Sequence, residues 1–315
     1  MNKHNFIKQL KYFLQIDDDV ALNSFCLKYK RSVIPNRLYR YTTITKHTLV
    51  NLVSNQVCLN NPRSFNDPFD CWSHKILSEV QVKPNNEIIL LFEGLKQKYN
   101  LNVSLEEFNK AKGLNSLQAM ANMLPIEKRN NFIQSVKPSL ESLIEKTHDD
   151  INLCLDRMIR VSCFTEYPPT KLLMWSHYAD YHKGLCLEYD LKDCDDETFC
   201  MLMPIIYQFN LQLQKDDVKL SDFTYSRLLQ MILIKSKEWS YEKEWRLIKS
   251  LDFPSSEREF HKFPYLKHIY VGAGASNDCL LLEIVNFAHS DGIPISKMFR
   301  NDNDFSLHGR LMKCP

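Results

Sequence analysis

Apolar positions near the N-terminus recur at spacings of three and four residues. They are Phe6, Ile7, Leu10, Phe13 and Leu14. This spacing places the side chains on one face of a helix. We therefore expect residues 1–35 to form a helical lead-in that packs on the main domain.

Beyond Pro35 the pattern changes to short apolar strands with helices between them. Strands are predicted at residues 37–42, 57–59, 160–165, 185–189, 203–207, 245–248, 268–271, 295–299 and 305–307. Helices are predicted at residues 45–53, 172–179, 220–237 and 276–288. Because strands and helices do not alternate regularly, the predicted class is α+β with a mixed, mostly antiparallel sheet.

Residues 80–160 are almost wholly helical in pattern. They contain a capping-box sequence at 104–107 and a long amphipathic run at 139–158. We interpret this region as a helical insertion in a single α+β domain that covers residues 36–310. An insertion of this kind is a candidate surface for a partner protein.

Composition excludes several classes of protein. The chain has 315 residues and a net charge of +2, without the basic excess typical of proteins that bind nucleic acid backbones. No apolar run approaches the roughly 18 residues that span a bilayer, and charges interrupt the first residues. We expect a cytoplasmic protein without a membrane partner.

The cysteines do not predict disulfides or a metal site. The chain has ten of them, no Cys-x-x-Cys pair occurs, and Cys58, Cys163 and Cys186 lie in apolar runs. The histidine and cysteine spacings match no usual zinc pattern. We expect buried free thiols and no bound metal.

Two segments concentrate polar aromatic and titratable side chains. Residues 171–190 contain Trp175, His177 and Tyr178, and residues 238–246 contain two further tryptophans between glutamates. A plain core helix seldom holds so many such groups. We expect the two segments to form parts of one site.

An ordered set of motifs carries a resemblance to a known family. The motifs occupy residues 38–42, 65–70, 162–166, 174–178, 182–184 and 241–246. In this order they resemble the bacterial domain-of-unknown-function family DUF2971 over about residues 36–300. The N-terminal helix and the helical insertion depart from the family pattern, and the family name implies no activity.

The order of polar residues is also similar, more remotely, to the ADP-ribosyltransferase architecture. That similarity implies Arg40 on an early strand, Ser162 or Thr165 on a middle strand, and Glu242 or Glu244 on a late strand. It also implies an enzyme that uses NAD as substrate to modify protein or nucleic acid. A bacterial toxin or a phage-defence effector would fit this activity.

The chemistry of NAD cleavage assigns roles to these residues. Loss of nicotinamide leaves a cationic, oxocarbenium-like ribose, which a nearby carboxylate such as Glu244 stabilises. Arg40 is a candidate ligand of the pyrophosphate or the adenosine side, and His177 is a candidate acid or base for the acceptor. The remaining candidate NAD-binding residues are Tyr41, Asn66, Asp67, Ser162, Thr165, Trp175, Tyr178 and Arg246, with Trp175 or Tyr178 stacking on nicotinamide.

Structural interpretations compete with these roles. Asp67 fits an Asx turn, Trp175 fits the core, and His177 and Tyr178 fit hydrogen bonds within the fold. Glu244 fits a buried ion pair with Arg40 or Arg246.

Two other functions remain open. One is a non-catalytic module of a defence system that binds a nucleotide or a peptide. The other is a hydrolase or nuclease that uses Asp67, His177 and the glutamates.

Overall fold

The computed structural model describes residues 1–71, 80–81, 86–102, 104, 120–122, 124–211, 218–219, 224–251, 258–276 and 278–312. Across these residues the chain is α+β with a mixed, mostly antiparallel sheet, which confirms the predicted class. The helices are α1 (Lys3–Ile16), α2 (Asp19–Tyr29), α3 (Lys46–Val53), α4 (Asn86–Tyr99), α5 (Ile126–Met158), α6 (Leu172–Tyr178), α7 (Asp196–Met201), α8 (Tyr225–Leu233) and α9 (Cys279–Ser290). The strands are β1 (Arg37–Thr42), β2 (Gln56–Asn60), β3 (Val80–Gln81), β4 (Ile159–Thr165), β5 (Leu185–Asp190), β6 (Leu202–Pro204), β7 (Ile206–Gln208), β8 (Val218–Lys219), β9 (Ile234–Ser236), β10 (Glu244–Ser250), β11 (Arg258–Lys262), β12 (Leu266–Val271), β13 (Ile295–Arg300) and β14 (Leu307–Leu311).

Most strands join one large sheet in the order β11-β2-β4-β1-β5-β12-β13-β14, with β10 on β4 and β6 on β10. The pairs in it are antiparallel except β12 with β13. Two short parallel pairs, β3 with β8 and β7 with β9, lie outside this sheet.

The sheet divides along β4. One edge of β4 pairs with β10 over its whole length. The other edge pairs with β2 at Val161 and with β1 at Thr165. β1 and β2 therefore diverge where they meet β4, and the gap between them is the entrance to a cavity.

The two faces of β1 contribute to separate apolar clusters, as expected when successive side chains point to opposite faces of a strand. Leu38 packs into the larger core. Tyr39 and Tyr41 pack with Met174 and Trp175 of α6 in a smaller one. The ring of Tyr41 meets Trp175 edge-on, with the centroids 5.2 Å apart, and this contact holds α6 against the strand.

The lead-in consists of two helices, because Asp17 takes a left-handed conformation (φ 57°) and Asp18 caps α2. α1 and α2 pack on each other through Phe6 and Phe25, whose ring centroids lie 5.0 Å apart. Both helices also pack against α8. The separation of the lead-in from the main domain stays a prediction.

The region around residues 202–237 differs from the sequence prediction. The predicted strand at 203–207 is two short strands, β6 and β7, and the predicted helix at 220–237 ends at Leu233. The next residues form β9, which pairs with β7 at Ile234. Strand pairing therefore overrides the helical periodicity of this sequence.

The helical insertion contains α4 and the 33-residue α5, which covers the predicted run at 139–158. The capping-box sequence lies mostly outside the described residues. Among the helices in the described part of the chain, none is long and apolar enough to cross a membrane.

Candidate functional site

A cavity of about 330 Å³ lies in the gap between β1, β2 and β4. Its walls come from these strands, from α6, from β9 and β10, and from the loop after β2. The predicted site residues that line it are Arg40, Tyr41, Asn66, Thr165, His177, Tyr178, Glu242, Glu244 and Arg246. Residues up to about 200 positions apart in the sequence therefore meet at one cavity.

A buried lysine connects the carboxylates of this cavity. Lys235 Nζ lies 2.6 Å from Glu242 Oε2 and 2.8 Å from Glu244 Oε2. A third carboxylate, Asp70, lies 3.9 Å away. The ammonium group also lies over the ring of Trp239, 5.0 Å from its centroid, where the negative face of the aromatic system favours a cation.

Arg246 is the second cation of the network and is fully buried. Its Nε donates to Glu244 Oε1 at 2.7 Å, and its Nη1 donates to Asp70 Oδ1 at 2.9 Å. Its Nη2 donates to the other oxygen of Asp70, so the contact is bidentate. Arg246 thus joins β10 to the loop that follows β2.

The two glutamates differ in their electrostatics. Burial raises the pKa of Glu242, and the attraction of Lys235 only partly offsets it. Burial would also raise the pKa of Glu244, but Arg246 and Lys235 together hold it below its ordinary value. Burial would lower the pKa of Lys235, but its carboxylate neighbours raise it. Glu244 is therefore the more firmly ionised of the two carboxylates.

Backbone geometry turns Glu242 towards the cavity. Glu242 ends a 3-10 helix at residues 237–242 and does not belong to the predicted strand. Lys243 follows in a left-handed conformation (φ 44°), and β10 begins at Glu244. Thr165 fixes this turn, because its hydroxyl donates to the carbonyl oxygen of Glu242.

Tyr178 closes the network on the side of α6. Its hydroxyl donates to Glu242 Oε1, and the Asn66 side chain is hydrogen-bonded to the same hydroxyl. Burial and the nearby Glu242 raise the pKa of Tyr178 far above its ordinary range. Tyr178 therefore stays protonated and serves as a hydrogen-bond donor. Both oxygens of Glu242 accept hydrogen bonds, which is typical of an ionised carboxylate.

His177 occupies the cavity wall beside Tyr178. Its ring centroid lies 6.1 Å from that of Tyr178 and 6.4 Å from that of Tyr241. It is exposed and lines the cavity without belonging to the ionic network. An exposed imidazole in the cavity wall is accessible to a bound molecule.

Three predicted site residues do not line the cavity. Asp67 is buried in a turn, where its carboxylate accepts from the Phe69 amide at 2.9 Å. Ser162 lies on the face of β4 opposite to that of Cys163, which lines the cavity. Adjacent residues of a strand point to opposite faces of the sheet. Its buried hydroxyl has no hydrogen-bond partner among the described residues.

Trp175 is the third of these residues. It is fully buried, and its Nε1 donates to the carbonyl oxygen of Pro169 at 2.7 Å. The indole ring belongs to the apolar cluster that also contains Tyr39, Tyr41 and Met174. A fully buried ring offers no surface to a ligand, which favours the structural interpretation of Trp175.

Sequence reasoning missed Lys235 and Asp70 as site residues. A signal for Lys235 was present, since a lone lysine follows the apolar run 228–234 where a buried position is expected. Asp70 stood within the motif at 65–70 but was passed over for Asp67. The contacts of Asp70 with Arg246 cross 176 positions of sequence, a pairing that local patterns do not reveal.

No group of three or more histidines, cysteines, aspartates or glutamates in the described part of the chain could hold a metal ion. The cysteines described are free thiols, and Cys58 and Cys186 are buried as expected. Cys163 is partly exposed and lines the cavity. Burial raises the pKa of its thiol well above the ordinary value.

Comparison with known proteins gives one finding. No curated protein and no solved structure matches the chain. Residues 174–247 match the model of a family described as "Protein of unknown function (DUF2971)". This segment runs from α6 to β10 and supplies Lys235, Glu242, Glu244 and Arg246. The resemblance of the sequence to DUF2971 is therefore confirmed over residues 174–247.

Proposed function

We propose that the chain is an NAD-dependent ADP-ribosyltransferase and that its reaction takes place in this cavity. The finer fold assignment, an ADP-ribosyltransferase-like sheet, belongs to the same proposal. The acceptor is a protein or a nucleic acid, as in the action of a toxin or a defence effector.

The observation that carries the proposal is the excess of negative charge within the buried network, beside a cavity whose third cationic side chain is Arg40. The buried network contains three carboxylates, Asp70, Glu242 and Glu244, but only two cations, Lys235 and Arg246. Fixed negative charge in a site of low dielectric strongly favours a cationic ligand or transition state. The nicotinamide ring of NAD is cationic, and so is the ribose that its departure leaves behind.

The reaction conserves atoms and charge. The bond between ribose C1′ and the pyridinium nitrogen breaks, and its electron pair stays with nicotinamide, which leaves neutral. The acceptor atom then forms a bond to C1′ and loses a proton. Glu242 stabilises the cationic ribose, and His177, which lines the same cavity, takes the acceptor proton.

Tyr178 and Lys235 support this assignment by holding Glu242. The hydroxyl of Tyr178 fixes one carboxylate oxygen and Lys235 fixes the other. Such preorganised charges need little rearrangement during the reaction. Glu242 replaces Glu244 as the preferred catalytic residue, because both oxygens of Glu244 contact buried cations.

The test is nicotinamide release from NAD labelled in its nicotinamide ring. We expect the wild-type protein to release nicotinamide, and Glu242→Gln to reduce the rate roughly 10²- to 10³-fold, the cost typical of a lost electrostatic stabiliser. Glu238→Gln is the matched control, because Glu238 is an exposed glutamate of the same 3-10 helix. No release by the wild type with water, protein or nucleic acid as acceptor would refute the proposal.

One observation favours a second function, a non-catalytic module that binds a nucleotide or a peptide. Every carboxylate of the network already has a cationic partner within the protein. A fully satisfied buried network rigidifies the structure around it, so these side chains can shape a binding cavity without taking part in a reaction. Under this hypothesis NAD or a related nucleotide binds the wild type and Glu242→Gln alike, without release of nicotinamide.

A further inference from the structure

A second cavity, of about 260 Å³, adjoins the first. Arg40 and Asn60 line both cavities and therefore form the wall between them. The remaining walls come from β2, β5, β11, α3 and the segment that joins β1 to α3. The two adjoining cavities together are called the groove below.

The charged groups of the second cavity differ from those of the first. Its lining contains the guanidinium groups of Arg40 and Arg258 and the imidazole of His47. None of the described residues that line it carries a carboxylate. A cavity that contains carboxylates and a cavity lined by cationic groups therefore lie side by side, and Arg40 lines both.

The other lining groups suit a nucleoside. Threonine, asparagine and glutamine side chains supply donors and acceptors, among them Thr43, Asn51 and Gln56. On β11, Arg258 and Phe260 are two residues apart and share one face. Phe260 is 47% exposed, so its ring offers a surface on which a base can stack.

We propose that the second cavity binds the nucleoside 5′-phosphate end of a dinucleotide whose cationic end occupies the first cavity. Arg258 and Arg40 contact the phosphates, and the base stacks on Phe260. This inference rests on the proposed function, because it assigns the adenosine half of NAD to a defined place. A ligand with a cationic end and an anionic centre matches the charges of the groove on both sides of Arg40.

The order of groups along the groove follows from the ligand. In NAD the pyrophosphate lies between the two nucleosides, so it must sit where the cavities meet. Arg40 is at that junction, and its Nη2 donates to the carbonyl oxygen of Cys58 at 3.3 Å. This contact positions the guanidinium, and the other N–H groups of the same guanidinium can donate to a phosphate.

The test uses adenosine 5′-phosphate as the probe, with its dissociation constant measured by calorimetry. We expect the wild type to bind it and Arg258→Gln to weaken binding about 10- to 100-fold, the usual effect of a lost charged hydrogen bond. Arg258→Lys should bind more tightly than Arg258→Gln but more weakly than the wild type. Lysine keeps the positive charge but cannot donate two parallel hydrogen bonds as a guanidinium does. Arg300→Gln is the control, an exposed arginine of β13 that lines neither cavity.

Two further variants show which part of the groove binds the base and which does not contact this ligand. Phe260→Ala weakens binding of adenosine 5′-phosphate about 5- to 100-fold through the loss of stacking, and it leaves binding of inorganic phosphate unchanged. Glu242→Gln leaves binding of adenosine 5′-phosphate unchanged, because Glu242 belongs to the other cavity. Equal affinity in the wild type and Arg258→Gln, or no binding by the wild type, would overturn the inference.

The inference and the proposed function fail in different ways. If adenosine 5′-phosphate binds through Arg258 but no nicotinamide is released, the groove binds a nucleotide and the transferase proposal is wrong. If nicotinamide release depends on Glu242 but Arg258→Gln leaves the KM for NAD unchanged, the transferase proposal stands. The assignment of the second cavity is then wrong.

Discussion

Arg246 and Glu244 form a buried ion pair in which the guanidinium Nε lies 2.7 Å from a carboxylate oxygen. They are two residues apart on β10 and therefore share a face of the strand. Arg246 is held on its other side by Asp70, and Glu244 by Lys235. The pair thus anchors the network, whereas Glu242 forms the part that reaches towards Tyr178.

Replacing Glu244 with Gln is expected to destabilise the fold. The change keeps the shape but removes one charged partner from Arg246 and from Lys235. Both cations keep another carboxylate, so we expect a cost of about 1.5–3 kcal/mol, that of a lost hydrogen bond to a charged group. Urea denaturation of the variant and the wild type measures the free energy of unfolding. Glu238→Gln, at an exposed site, should shift it by less than about 0.5 kcal/mol.

The opposite result would reassign the role of Glu244. If Glu244→Gln unfolds at the wild-type urea concentration but loses nicotinamide release, Glu244 stabilises the cationic ribose and Glu242 does not. A double-mutant cycle with Arg246→Met measures the coupling of the pair directly. A coupling free energy near zero would show that this ion pair does not stabilise the fold.

Much of the fold could be predicted because local patterns determine it. The strand at residues 37–42 and the helix at 45–53 depend on near neighbours, and both predictions are confirmed, with Thr45 as the cap of α3. The region 202–237 could not be predicted in this way. There, β9 forms because β7 offers it a partner, and a partner strand cannot be read from an apolar run.

The candidate site was predictable where its residues share a motif. Tyr178 follows His177, and Glu242 and Glu244 are two residues apart, so their clustering is visible in the sequence. Lys235 was missed because burial of a lysine depends on carboxylates that fold onto it. The burial of Trp175 could not be predicted, because the sequence does not show whether an indole ring faces a cavity or the core.

Replacing Tyr178 with Phe is expected to raise the pKa of Glu242 further. The lost hydroxyl donates to the ionised carboxylate, and a hydrogen bond of this kind lowers the pKa of the acceptor. Under the proposed function, Glu242 acts when ionised. The acidic limb of the pH profile for nicotinamide release should therefore move to higher pH.

Carboxyl-carbon NMR of Glu242 measures the same shift without relying on activity. The unfolding free energy should fall by about 1–3 kcal/mol, because a buried acceptor loses its donor. Tyr12→Phe, at an exposed position of α1, is the control. A Glu242 pKa that does not change in Tyr178→Phe would show that Tyr178 has no electrostatic influence on this carboxylate.

Replacing Lys30 with Met is expected to stabilise the protein more at pH 7 than at pH 9. Lys30 is buried with its Nζ 3.0 Å from the carbonyl oxygen of Cys200, and burial lowers its pKa from 10.5 to about 8. At a pH between these two pKa values, Lys30 is protonated in the unfolded chain but has released its proton in the folded chain. The wild type therefore gains stability as the pH rises through this window.

Below pH 8 the folded protein carries a buried ammonium group, which the Met variant avoids. From the two pKa values, the stability difference between Lys30→Met and the wild type should shrink by roughly 1 kcal/mol between pH 7 and pH 9. Urea denaturation at both pH values measures this difference. Lys28→Met, which removes an exposed lysine of α2 two residues before Lys30, is the control. An equal difference at both pH values for Lys30→Met would refute the prediction.

Replacing Gly184 with Ala is expected to disturb both stability and the cavity. An added Cβ would lie 2.2 Å from the carbonyl oxygen of Thr42 and 3.0 Å from the backbone of Ala179. These are backbone atoms, so β1 and the end of α6 must separate, at a cost of about 1–3 kcal/mol or more. Because Tyr178 is the last residue of α6, this movement also draws its hydroxyl away from Glu242.

Gly94→Ala is the matched control for this change. No atom lies within 4 Å of the added Cβ at Gly94, which lies inside α4. Alanine there should stabilise the helix by about 0.5–1 kcal/mol, because it restricts the unfolded chain. Thermal unfolding therefore gives shifts of opposite sign for the two variants. A Gly184→Ala protein as stable as the wild type, with the Glu242 pKa unchanged, would mean that the contact between α6 and β1 does not position Tyr178.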